Sequence, residues 1–117
     1  DIYPTLIDLM GYKPDIPVDV EGISHASVFL TGSGFRPESQ LYVKNPLEGF
    51  DRRGVRTHQY TLMVPNPQDE GSEIELYDRI ADPFQLQNIA RENPDIVQEM
   101  RKKMEVWLEK TNDPWLK

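Results

Sequence analysis

The chain has no cysteine in 117 residues. That absence removes disulfides, thiolate metal sites and cysteine nucleophiles together, and with them any inference about redox compartment. Nor does it have an apolar run approaching the roughly 20 residues that cross a bilayer, or a basic-then-apolar leader, so no membrane partner is expected. Positive charge is scarce as well. Thirteen Lys and Arg against 20 Asp and Glu leave a formal charge of −7, and the pI is near 4.7. Nucleic acid is therefore not an expected partner, since neutralising phosphates takes clustered Lys and Arg in excess. The acids do not make up a metal site either: Asp8, Asp15 and Asp19 stand at spacings that bring no carboxylates together. With 38% hydrophobic residues there is material for one modest core and not two. The chain opens at Asp1 directly into an apolar pattern, and is expected to be a piece of something longer.

What is present is organised around Glu73 to Ala90. Ile74 and Leu76 alternate with Glu73, Glu75 and Tyr77, which predicts a short strand with one apolar face. Asp82-Pro83 then forces a corner, because proline restricts the residue before it and the Asp82 carboxylate can accept from nearby backbone amides. Leu86 and Ile89 are expected as apolar anchors, and Asn88 as a partner for local backbone groups. Asn93 and Pro94 predict a helix start. Beyond them Val97, Met100, Met104, Trp107 and Leu108 recur at spacings of three and four, giving one face to bury on a sheet, with Trp107 expected as its anchor. Glu99–Lys103 and Arg101–Glu105 are placed to pair along this helix.

The rest of the chain supplies the other elements. Ile2, Leu6, Leu9 and Met10 predict a short helix ended by Gly11. Prolines 14 and 17 and glycines 22, 32 and 34 break the next stretch into a crossing loop with one helical turn near Ala26–Leu30. His25, alone in that loop, is expected to pack or face solvent. Gln40–Lys44 alternates as a strand stopped by Asn45-Pro46. Gly54–Thr57 and Tyr60–Val64 read as a hairpin turning at His58-Gln59, with Tyr60, Leu62 and Val64 on one face and Thr61 and Met63 on the other. Pro65 to Ser72 reads as a solvated loop.

Glu-Leu-Tyr-Asp (75–78), Asp82-Pro83 and Asn88-Ile-Ala90, together with Arg-Gly-Val-Arg-Thr-x-x-Tyr (53–60), resemble the C-terminal signature of sulfatases, members of the alkaline phosphatase superfamily. Residues 1–11 look like the segment that closes the catalytic domain of that family. Threonine at 61, where many members carry lysine, is similar to a branch of bacterial polysaccharide sulfatases. The resemblance implies an α+β fold: a small antiparallel sheet of about four strands packed against a long C-terminal helix, preceded by a short helix and loop. Residues 1–34 would end the α/β catalytic domain, and 35–117 would form the C-terminal subdomain. It implies a parent that hydrolyses sulfate esters, on a polysaccharide, using calcium and a formylglycine supplied by the N-terminal catalytic domain, in the periplasm or outside the cell. This chain lacks the Cys- or Ser-x-Pro-Ser-Arg motif and the Asp-Asp cluster of that site, so no catalytic and no metal-binding residue is assigned to it. A phosphodiesterase or phosphatase of the same superfamily, or a purely structural or carbohydrate-contacting module, is the alternative. Lys44, Arg52, Arg53, Arg56 and His58 form its basic group. Arg52 and Arg53, adjacent and so on opposite faces of a strand, are the substrate-binding candidates: one would pair with an acid such as Glu75, the other would reach a sulfated carbohydrate.

Overall fold

The computed structural model describes residues 1–34, 38–43, 51–67, 69 and 71–116, with the backbone alone at 42 and 43. Lys44, Asn45-Pro46 and residues 47–50, expected to end a strand and form a loop, lie outside the described residues. The chain divides into two compact units, Asp1–Pro37 and Glu38–Lys117.

The first unit holds helix α1, Ile2–Leu9, and helix α2, Ala26–Thr31. Asp1 stands before α1, but its carboxylate does not cap it: Oδ1 accepts from the Ile23 amide at 2.9 Å. The Thr5 hydroxyl donates to the Asp1 carbonyl at 2.6 Å and accepts the His25 amide at 2.9 Å, while the Ser24 hydroxyl donates to Asp8 at 2.5 Å. These polar bonds pin the crossing loop to α1. Gly11 and Gly32 end the helices at φ +83° and +72°, a left-handed geometry that glycine adopts without strain.

The second unit is a four-stranded antiparallel sheet and one long helix. Strands β1 (Ser39–Val43), β2 (Arg52–Arg56), β3 (Tyr60–Pro65) and β4 (Glu75–Asp78) lie in sequence order, each paired with the next. The β2–β3 hairpin turns at His58-Gln59 as expected. The Thr57 amide donates to the Tyr60 carbonyl and the Tyr60 amide to the Thr57 hydroxyl, and Arg79 clamps the turn by donating to the Thr57 and His58 carbonyls. Register aligns Val55 with Leu62 and Leu62 with Leu76, so one face of the sheet presents a continuous apolar row. Helix α3, Pro94–Lys110, covers that face with Met100, Met104 and Leu108. Each such burial contributes about 1.5–3 kcal/mol, and this seam is the core of the unit.

Between β2 and β3 the strands approach so closely that a side chain at Gly54 would meet the Leu62 carbonyl at 2.2 Å. Only glycine fits there. At the far edge, Asn88 substitutes for a fifth strand. Its side chain accepts from the Leu76 amide and donates to the Ile74 carbonyl, and the Ile89 amide joins it by donating to the Leu76 carbonyl. That is what the Asn-Ile-Ala sequence does physically: it closes an exposed sheet edge.

Four local expectations change. Leu86 does not anchor; it is 85% exposed, and Ile89 alone of that pair joins the core. Trp107 is half-buried on the flank of α3, with Lys110 over its ring at 4.8 Å, because the helix turns Met100, Met104 and Leu108 toward the sheet. Asn93 precedes α3 but its side chain donates backward, to the Ile89 carbonyl. Lys103 bonds Glu38 at 2.7 Å, a partner from another element that proves better placed than Glu99.

Candidate functional site

Because side chains alternate along a strand, the register that gives α3 its apolar row sends every other residue to the opposite face. That face carries Arg56, Thr61 and Tyr77 in one cross-strand row and Gly54, Met63 and Glu75 in the next, with Arg52 and Pro65 beyond them. A groove of about 540 Å³ lies here, lined by Arg56, Thr61, Met63, Glu75, Tyr77 and Gln85 among others.

Glu75 is the hub of the face. One oxygen pairs with Arg52, which also reaches the Ser72 hydroxyl; the other accepts the Tyr77 hydroxyl at 3.0 Å. Burial, reinforced by this bond to a carboxylate, raises the Tyr77 pKa, so the phenol keeps its proton and acts as a donor. Two atoms in the groove wall are left over. Arg56 Nε and the Thr61 hydroxyl are sealed from solvent with no hydrogen-bond partner among the described residues. Thr61 is only 3% exposed. Buried donors without partners are uncommon in finished structures, and each costs about 1–3 kcal/mol until it is satisfied.

The two arginine candidates separate as adjacent strand residues must. Arg52 lies on the grooved face and takes Glu75 as its partner, the acid that the sequence suggested. Arg53 turns to the α3 side and is 4% exposed. Its Nε donates to Asp113 at 3.0 Å, and its guanidinium lies 4.7 Å from the Trp115 ring centre. Asp113 also accepts the Trp115 amide at 3.0 Å, so the chain end beyond α3 folds over Arg53 as a lid of one acid and one indole. Sequence reasoning missed this triad and the Glu75–Tyr77 pair. The second was legible in the polar half of the strand alternation; the first joins residues 60 apart, with no local signal.

His25 stands in the first unit with Nε2 3.4 Å from Asp1, and His58 sits exposed in the hairpin turn. Among the described residues, no three His, Asp or Glu side chains converge to hold a metal ion. The calcium implied by the family resemblance does not fit these residues, and no step is routed through it. The grooved face can bind and position a partner through one cation, one paired carboxylate and one phenol.

No family model matches the chain. A curated relative does: the Endo-4-O-sulfatase of Bacteroides thetaiotaomicron is 30% identical over 98% of the chain. Among solved structures, a protein assigned as a sulfatase in Bacteroides fragilis superimposes over 97% of the chain with a TM-score of 0.82 and 33% identity. Another, solved in complex with its substrate D-glucosamine-2-N,6-O-disulfate, covers 98% at a TM-score of 0.76 and 26% identity. The fold and its edge-closing Asn-Ile-Ala segment thus define a class, and the chain belongs with the C-terminal region of sulfatases. Within that class the likeness runs to polysaccharide sulfatases of Bacteroides. The chain spans about a quarter of the length of these relatives.

Proposed function

We propose that this chain is the C-terminal subdomain of an enzyme that hydrolyses sulfate esters on a polysaccharide, with residues 1–34 closing its catalytic domain and 35–117 forming the subdomain. The observation that carries the reading is the match along 98% of the chain to a named sulfatase. Helix α1 supports the assignment of its segment, because Ile2, Tyr3, Leu6, Leu9 and Met10 are all exposed. A helix apolar around most of its circumference belongs inside a larger body. Formylglycine and calcium would come from that body, which would be the partner of this region in the same protein.

Arg52 is the residue through which this subdomain would touch substrate. It stands on the grooved face with its side chain 28% exposed, and its planar fork suits a sulfate or uronate. Arg53, held by Asp113 and Trp115, serves as a positioning residue that fixes β2 beneath it. In the full-length enzyme Arg52→Ala should lower kcat/KM on the sulfated polysaccharide by roughly ten- to a hundred-fold, the loss of one charge-assisted contact. A small aryl sulfate, too short to reach Arg52, should turn over as before. Released sulfate, read by ion chromatography, is the measurement. Equal losses on both substrates would make Arg52 structural, and phosphate release without sulfate release by the wild-type enzyme would overturn the sulfatase reading.

A further inference from the structure

The loop after β4 has the build of a docking knob. Ile80, Phe84 and Leu86 are exposed at 63%, 81% and 85%, yet the backbone that carries them is tightly bonded. Asp78 Oδ1 accepts the Ile80 and Ala81 amides at 2.8 and 3.0 Å, the Asp82 amide donates to the Asp78 carbonyl at 2.7 Å, and Asp82 Oδ2 accepts the Gln87 amide at 2.8 Å. Gln85 is held at φ +54°, a conformation that a non-glycine residue adopts only under constraint. The entropy of ordering this loop is already spent, which is the condition under which exposed aromatic and aliphatic side chains make a strong interface centre.

The knob adjoins the groove, since Gln85 lines it between Phe84 and Leu86. Here too are the partnerless Arg56 Nε and Thr61 hydroxyl. Three large apolar side chains held out on a rigid loop, beside two unsatisfied polar atoms, make a surface from which a partner has been removed.

We propose that the Ile80–Leu86 loop and the Arg56–Thr61–Tyr77 row form the seat on which the rest of this protein's own chain docks. This rests on the sulfatase reading, in which the relatives are about four times as long as these 117 residues. The docking segment would offer an apolar pocket to Phe84 and Leu86 and carbonyl or carboxylate oxygens to Arg56 and Thr61. A second copy fits poorly, because a two-fold contact centred here would set Arg56 against Arg56 between chains that each carry −7. A glycan fits poorly as well, because Ile80 and Leu86 offer it neither hydrogen bonds nor a flat ring. Arg52 lies two rows from the Arg56 end, so the seat leaves it at the margin where substrate would pass.

Hydroxyl-radical footprinting of the full-length wild-type protein, read residue by residue by mass spectrometry, tests this without any variant. Each rate is normalised to the same residue in the denatured protein, and Val106, 68% exposed on α3, is the reference. Phe84 and Leu86 should be oxidised at least about fivefold more slowly than Val106, and Phe84→Asp should return Leu86 to the Val106 rate. Equal rates in the wild-type protein would overturn the proposal. Protection that appears only as concentration rises would assign the seat to a second copy, and protection that appears only with added sulfated oligosaccharide would assign it to a glycan; either also overturns it. The footprint needs no turnover: an inert protein that protects Phe84 loses the sulfatase reading and keeps the seat, whereas an active one that leaves it open loses the seat alone.

Discussion

Arg53 and Asp113 show what one buried pair does in a small domain. Their side chains are 5% and 6% exposed, so neither can fall back on water if the other is removed. Deleting one partner of such a pair costs about 3–5 kcal/mol, mostly the penalty of stranding the remaining charge. Asp113→Ala should therefore lower the urea midpoint of the domain far more than Glu73→Ala, which breaks the exposed Arg91–Glu73 pair and should change stability by under about 1 kcal/mol. Asp78 plays a complementary part at the surface. The Ala81 amide first, then the Gln59 side chain and the Ile80 amide, donate to its carboxylate and hold its pKa below the ordinary 3.8. A depressed folded pKa stabilises the fold above the unfolded value and loses that effect as pH falls through the folded one. The Ile80–Leu86 loop should thus loosen below about pH 4, seen as faster amide exchange at Ile80 and Ala81, and Asp78→Asn should flatten the response.

The elements are set by the sequence wherever their cause is local. Alternation over Tyr60–Val64 and Glu73–Tyr77 defines strands because one face must be apolar, and the 3.6-residue recurrence from Val97 to Leu108 defines α3 for the same reason. Asp82-Pro83 gives the corner, and Asn88 the local backbone bonds. The choices that depend on packing angle were not legible. Trp107 shares the apolar stripe of α3, but a sheet touches only part of that stripe, and Leu108 takes the buried position one residue on. The same cause hides the site: the polar strand face is visible in the alternation, while the union of Arg56, Thr61 and Tyr77 in one row depends on register across three strands. The packing order is open to measurement. Leu108→Ala should cost about 2–5 kcal/mol by leaving a cavity, whereas Trp107→Ala, at a half-exposed site, should cost about 1 kcal/mol. Urea unfolding that ranked the two in the opposite order would place the anchor of α3 on the tryptophan side.

For the whole molecule, the two units differ in what they bury. In Glu38–Lys117, seven residues from three strands and α3 close into one cluster. In Asp1–Pro37, α1 buries Pro4 and Thr5 and α2 buries Ala26, while Ile2, Leu6, Met10, Phe29 and Leu30 are all at least half exposed. An isolated helix shorter than about 12 residues is marginal in water, and α1 has eight. Its polar bonds from Thr5 and Ser24 fix where the crossing loop meets the helix, but bonds that water can replace contribute only about 0.5–1.5 kcal/mol each. Stability should accordingly be uneven in the 117-residue chain taken alone. Amide exchange on that chain should show α1 and α2 exchanging near the rate of unstructured peptide, while Val55, Leu62 and Leu76 in the sheet and Met104 in α3 exchange only through global unfolding. In the full-length protein the α1 amides should become protected by at least about a hundredfold, since the exposed apolar side chains then have a body to enter. If α1 were already as protected as β3 in the short chain, the first unit would be a fold of its own, and residues 1–34 would have no need of a catalytic domain to close.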